Sequence, residues 1–217
     1  MPRSAKASAH VLFTPGHQEA FVNPERDYRV LTEALAAEGH TPAFVQPDWD
    51  RHTPRQWIEQ LFRTAEDVSS ENPLILAGFS FGALVSLAAA ERLQTSARTT
   101  RHLGVVAASV SPYFESLYPQ VSEKARRALR PEVAAELGAL ALPDVRYPVQ
   151  LYVGTREFQL MHDQAAQIMD TLPDVQLELV DEAGHDVLHE AYLPVMVAGV
   201  SEMASRLTAT DSDQAVA

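Results

Sequence analysis

The sequence predicts an α/β fold with a mainly parallel sheet, and three observations carry that prediction. Short apolar runs alternate along the chain with longer stretches of helical period. Two of those runs, residues 74–77 and 102–110, are almost wholly apolar, as strands are when helices cover both faces. The first leads straight into Gly78-Phe79-Ser80-Phe81-Gly82 and then into a second apolar stretch, residues 83–90. That is a strand, a sharp turn and a buried helix in direct succession.

The elements follow in order. Residues 10–14 read as a buried strand broken by Pro15-Gly16. Asn23-Pro24 supplies an N-cap and a first helical position for a helix reaching Gly39, with Tyr28, Leu31 and Leu35 on its inner face. Residues 41–46 form a short strand whose Pro42 suits a sheet edge. Thr53-Pro54-Arg55-Gln56 is a capping box opening a helix that buries Trp57, Leu61, Ala65 and Val68. After the Ser80 turn come strands at 102–110 and 148–153, a helix at 163–172 and a strictly alternating edge strand at 175–179. A last helix at about 194–207 packs back through Val197, Val200 and Leu207, and residues 208–217 read as a frayed, disordered tail.

Composition narrows the function. With 217 residues, 46% of them hydrophobic, the chain builds one sizeable core, so 1–217 is read as a single domain. Lys and Arg number 17 against 29 Asp and Glu, a net charge of −12, which argues against nucleic acid and anionic membrane as partners. There is no cysteine, so disulfides, thiolate catalysis and Cys-ligated zinc are excluded. The apolar stretch 11–13 is too short for a signal sequence and no run approaches a membrane span, so the cytoplasm is the expected location.

Ser80 is the candidate nucleophile. A hydroxyl is weak at neutral pH and needs a base within hydrogen-bond reach, itself oriented by a third group. Asp181-Glu182-Ala183-Gly184-His185 follows the last strand and places an imidazole over the carboxyl edge of the sheet. Gly154-Thr155-Arg156-Glu157 follows the preceding strand and places a carboxylate there. Asp163 is the competing acid, read instead as a helix N-cap. Asp181 and Glu182 lie too close in sequence to His185 to orient it.

From about residue 10 to 207 the chain resembles the α/β-hydrolase superfamily, on Gly78-Phe79-Ser80-Phe81-Gly82, Val153-Gly154-Thr155-Arg156-Glu157 and Ala183-Gly184-His185. The resemblance implies a three-layer α/β/α domain with six strands in the order 2-1-3-4-5-6. It also implies Ser80 as nucleophile, His185 as general base and then acid, and Glu157 as the orienting carboxylate. The oxyanion hole it implies is made by the backbone N–H groups of Phe81 and His17. Two departures stand out: Pro15 replaces the histidine usual in the first loop, and Glu157 stands where aspartate is usual. The family's opening antiparallel hairpin is also absent.

Residues 112–146 break the alternation and read as a small helical lid, with short helices at 122–129 and from Pro131 to a stop at Gly138. Tyr113, Phe114 and Tyr118, with Gln18 from the first loop, are the expected substrate pocket, although the aromatics serve equally as lid core. Lys124, Arg126, Arg127 and Arg130 form a positive cluster, read first as a solvated helix face. The alternative is a holder for a substrate carboxylate or a phosphopantetheine phosphate. His162, Asp163 and His189 make a poor metal site, since no His-Glu-x-x-His pattern exists, and no metal or cofactor is expected. The expected activity is hydrolysis of a small ester or thioester, with CoA or a carrier protein as a candidate acyl donor. An acyltransferase or cyclase with the same three residues, and a silent binding module on this scaffold, are the rival readings.

Overall fold

A computed structural model describes residues 7–17, 24–68, 72–96, 102–185 and 191–214, with the backbone alone for 24–27 and 210–214. Its elements are β1 (His10–Thr14), α1 (Pro24–Ala37), β2 (Thr41–Phe44), α2 (Pro54–Glu66), β3 (Leu74–Phe79), α3 (Phe81–Gln94) and β4 (Leu103–Ala108). There follow α4 (Glu123–Arg127), α5 (Pro131–Leu137), β5 (Val149–Gly154), α6 (Gln159–Thr171), β6 (Val175–Val180) and α7 (Leu193–Gln214). A 3-10 turn, Tyr118–Gln120, precedes α4. The sheet has six strands in the order β2-β1-β3-β4-β5-β6, every neighbouring pair parallel.

The central strands β3 and β4 are buried at every position, and their side chains divide between two cores. Leu74, Leu76, Leu103, Val105 and Ala107 face α2, α3 and the residues after β4. Ile75, Ala77, Val106 and Ala108 face the other layer with Tyr28, Leu31, Met196, Val200 and Leu207. Strand alternation thus feeds opposite faces. Helix α3 is apolar on nearly every side because the first layer surrounds it. At the start of α2, Gln56 Oε1 accepts the Thr53 N–H at 2.9 Å, closing the capping box. Pro42 lies on the edge strand β2, where its missing N–H costs no ladder bond.

Two boundaries and one burial pattern differ most from the sequence reading. Helix α6 begins at Gln159, so Asp163 is inside the helix, bonded from Gln159 Nε2 at 2.9 Å, and is not an N-cap. Its true N-cap, Phe158, has no side-chain acceptor and so leaves no signature in the sequence. Helix α7 continues to Gln214, through much of the stretch read as a tail, because extending a packed helix avoids the cost of nucleation. On β6 the alternation locates an edge strand but not a buried face, since Leu177 and Leu179 remain 38% and 57% exposed. The Asn23 cap lies outside the described residues.

The β3–α3 turn is held against the end of β1 by contacts that admit no side chain. A Cβ on Gly82 would lie 1.9 Å from the Thr14 carbonyl oxygen, and one on Gly78 would lie 2.4 Å from the Gly82 carbonyl carbon. Both obstacles are backbone and cannot swing aside. Gly82→Ala is therefore expected to destabilise the protein by about 3 kcal/mol, as severe overpacking does. Urea unfolding should show a lower midpoint with an unchanged slope. An unmoved midpoint would show that the turn has slack.

Candidate active site

Ser80 is the residue between β3 and α3, with φ 56° and ψ −118°. This conformation is costly for a residue with a Cβ, by about 1–3 kcal/mol, and persists where the surroundings over-determine it. Here they do. The Ser80 N–H donates to the Ala108 carbonyl at 3.0 Å, and the Ser80 carbonyl accepts from the N–H groups of Ala83 and Leu84 at 3.1 and 3.2 Å. The hydroxyl is thereby held at the carboxyl edge of the sheet, where Ser80 Oγ lies 3.0 Å from His185 Nε2 and 2.9 Å from Ser111 Oγ.

The loop after β6 carries His185, and its ring lies against Phe79 at 5.2 Å between centroids. His185 Nδ1 is 3.3 Å from Glu157 Oε1 and 3.1 Å from Ser109 Oγ. Glu157, in the turn after β5, is 8% exposed. Its Oε1 also accepts from the Ser109 hydroxyl and from the Tyr192 hydroxyl, the latter at 2.8 Å. Tyr192 accepts in turn from the Gly154 N–H at 2.7 Å. The structure brings Ser80, His185 and Glu157 into one hydrogen-bonded row from three separate loops.

Burial alone would raise the Glu157 carboxyl, but the hydrogen bond and charge of His185, with Ser109 and Tyr192, hold it below its ordinary value. Tyr192 moves the other way, pushed up by burial and then by the Glu157 charge. The lowered Glu157 pKa has a consequence for stability. A carboxyl that ionises more easily folded than unfolded stabilises the protein above its ordinary value of 4.5, and the benefit is lost as pH falls through the lower folded value. The stability gap between wild type and Glu157→Gln should therefore shrink as pH drops below 4.5. Urea titrations at neutral and acid pH measure it, and a constant gap would show that the charge is not what stabilises the site.

The loop after β1 lies beside the serine. A Cβ on Gly16 would be 3.2 Å from Ser80 Cβ. His17 follows it, and its imidazole sits 5.9 Å from the Phe81 ring and 6.1 Å from Trp49, centroid to centroid. Phe81 is the first residue of α3, so its N–H has no acceptor within the helix. The His17 N–H also takes no acceptor among the described residues. Both N–H groups belong to residues next to the serine: Phe81 follows Ser80 in the chain, and His17 follows Gly16, where an added Cβ would lie 3.2 Å from Ser80 Cβ.

The remaining candidates fare differently. Tyr113 lies against Phe81 at 4.9 Å between centroids, the rings tilted by 37°, and 5.9 Å from Tyr118. Phe114 is 0% exposed in the core, so in this structure it offers no surface to a ligand. It packs into the core shared by α2 and α3, while its neighbour Tyr113 is only partly buried. Gln18 and His189 lie outside the described residues. Arg156 pairs with Glu182 rather than with Glu157. In the basic cluster, Arg127 pairs with Glu123, Arg130 with Glu132 and the His52 carbonyl, and Arg126 lies over the Tyr118 ring.

Three contributors escaped the sequence reading: Ser109, Ser111 and Tyr192. A signal for the two serines existed, because Ser109-Val110-Ser111 puts two hydroxyls at the carboxyl end of an otherwise apolar buried strand. Tyr192 had none, being one aromatic residue before an amphipathic helix. An open groove of about 660 Å³ is unrelated to the row. It is lined by Glu91, Arg92 and Thr95 at the far end of α3 and by Asp144, Arg146 and Tyr147 before β5. A helix as long as α3 places that end roughly 20 Å from the serine.

The fold has counterparts among known proteins. A family model described as "Thioesterase domain" matches residues 24–146, more than half of the chain. No curated protein matches at the sequence level. Among solved structures, Est1E from Butyrivibrio proteoclasticus superposes with TM-score 0.72 at 13% identity, covering 94% of this chain and 90% of that one. Alpha/beta hydrolase domain-containing protein 10 from mouse gives TM-score 0.69 at 17% identity, covering 91% and 90%. ClbQ from the colibactin NRPS/PKS pathway gives 0.64 at 10% identity, covering 94% and 99%. At these identities the structural likenesses speak to fold, and the family match adds action on ester or thioester bonds as the general activity. The chain belongs to the thioesterase-domain family of the α/β-hydrolase superfamily.

Proposed function

We propose that this protein is a serine hydrolase that cleaves a small carboxylic ester or thioester through an acyl-enzyme on Ser80. The observation that carries the reading is the 3.0 Å contact between Ser80 Oγ and His185 Nε2 on the carboxyl side of the sheet, with the Glu157 carboxylate behind the imidazole. Ser80 Oγ attacks the acyl carbon while its proton passes to His185 Nε2. The negative oxygen that forms is held by the N–H groups of Phe81 and His17. His185 then gives the proton to the departing thiol or alcohol, and the carbonyl re-forms as the acyl-serine. A water, deprotonated by the same imidazole, releases the acid and restores the serine. Glu157 keeps the Nδ1 proton in place and offsets the charge on the imidazolium.

Residues 112–146 act in this reading as a short lid, with Tyr113 and Tyr118 beside the acyl group. The family match favours a thioester, and the likeness to ClbQ, of an NRPS/PKS pathway, favours an acyl group carried on a phosphopantetheine arm. The test is pre-steady-state kinetics, substrate in excess over protein, with a short acyl-CoA and the matching p-nitrophenyl ester. Both are expected to give a burst of leaving group and a transient acyl mass on the peptide containing Ser80. Turnover without any acylated intermediate would contradict the reading.

A further inference from the structure

We infer that Ser109 is a positioning residue for this reaction, its hydroxyl bridging the His185 imidazole and the Glu157 carboxylate. The inference rests on the hydrolase reading above. Its ground is a comparison of two distances. Ser109 Oγ lies 3.1 Å from His185 Nδ1, whereas Glu157 Oε1 lies 3.3 Å away. Ordinary N–H···O bonds span about 2.7–3.2 Å, so the hydroxyl, not the carboxylate, is the imidazole's nearer acceptor.

One arrangement of protons satisfies every contact. The Ser80 hydroxyl donates to Nε2, so the neutral imidazole carries its proton on Nδ1. That proton is shared between Ser109 Oγ and Glu157 Oε1. The Ser109 hydroxyl spends its own proton on Glu157 Oε1 and keeps lone pairs for the imidazole. Oε1 thus faces Ser109, Tyr192 and His185 at once, while Oε2 is buried with no partner among the described residues. An oxygen already taking two hydroxyl donors is a poorer direct acceptor for a third. The Ser109 hydroxyl makes up the deficit by presenting a polarised oxygen to Nδ1.

The backbone is consistent with such a demand. Ser109 is 0% exposed and adopts φ 49°, left-handed for a residue with a Cβ, directly after the last residue of β4. Its N–H donates to the Tyr152 carbonyl at 2.8 Å, so the main chain is fixed while the side chain turns toward the site. A turn needed only to end the strand would be better served by glycine. This gives a clean test.

Ser109→Gly removes the hydroxyl and relieves the left-handed backbone, and Ser109→Ala removes the hydroxyl alone. Both are expected to lose about a hundredfold in kcat, the scale of a misplaced catalytic group. KM should change by less than about twofold, since the hydroxyl is not needed to bind substrate. The far-downfield proton resonance of His185 Nδ1 should move upfield in both. Combined with Glu157→Gln, Ser109→Gly should add little, because both changes act through the same proton. Wild-type kcat and an unmoved resonance in Ser109→Gly, with Ser80→Ala inactive, would overturn the role of the hydroxyl and leave only a structural turn. Full additivity in the double variant would overturn it as well. Activity retained by Ser80→Ala would instead overturn the hydrolase reading itself.

Discussion

Ser80→Ala is expected to lower kcat on ester and thioester substrates by roughly 10⁶-fold, the loss typical of removing a nucleophile from a cooperating row. The size follows from what the residue does in the proposed reaction. Without Oγ there is no acyl-enzyme, and His185 is left to activate water toward a carbonyl that the remaining groups only bind. Residual turnover over water would come from the oxyanion donors and from substrate binding. The variant should stay near wild-type stability, because alanine at φ 56° is no more strained than serine, backbone hydrogen bonds hold the turn, and only the hydroxyl contacts to Ser111 and His185 are lost. Unchanged thermal unfolding together with lost turnover separates a chemical effect from a folding one. A Ser80→Ala protein that hydrolysed p-nitrophenyl esters at the wild-type rate would end the assignment.

Glu157→Gln carries the second-largest expected effect, a fall in kcat of roughly 10³–10⁴-fold. The amide has the carboxylate's shape but no charge, so the imidazolium formed during attack is no longer offset. The amide also brings hydrogens of its own to a position already facing the Ser109 and Tyr192 hydroxyls and the His185 N–H. Orientation and tautomer of the imidazole are both disturbed. Asp163→Asn is the control, because Asp163 sits on the exposed side of α6, bonded to Gln159. Its activity should match wild type. Steady-state kinetics of the two variants side by side decide the matter, and a larger loss at Asp163 would move the acid role there.

The sheet was legible because its central strands are continuous apolar runs, which only doubly covered strands sustain. Edges were legible from Pro42 on β2 and from the alternation of β6. The alternation misled in one respect, since Leu177 and Leu179 keep considerable exposure at the rim. Of the site, the turn at Ser80 and the two loop positions of His185 and Glu157 could be read because each follows a strand and sits at its carboxyl end. Tyr192 could not, and the two hydroxyls of Ser109 and Ser111 that end an apolar strand marked a polar position without showing which groups they meet. Their contacts join positions far apart in sequence, 76 residues between Ser109 and His185 and 35 between Glu157 and Tyr192. Local patterning holds no record of such a meeting. The start of α6 was missed for the opposite reason, a local one: Phe158 caps without a polar side chain, so nothing in the sequence announces it.

The structure also gives a physical reason for the glycines around Ser80. Gly78 and Gly82 let two backbones approach to distances no side chain survives, and that contact sets the loop bearing His17 beside the serine. Stability and chemistry are coupled at this turn, so Gly82→Ala should depress activity as well as the urea midpoint.

The most direct measurement is labelling of the native protein with a fluorophosphonate, followed by mass analysis of its peptides. The account predicts one adduct, on Ser80, formed rapidly in wild type and far more slowly in a His185→Ala variant, because the imidazole is what makes the hydroxyl reactive. A folded wild-type protein that takes no adduct on Ser80, or labels equally fast without the imidazole, would contradict it.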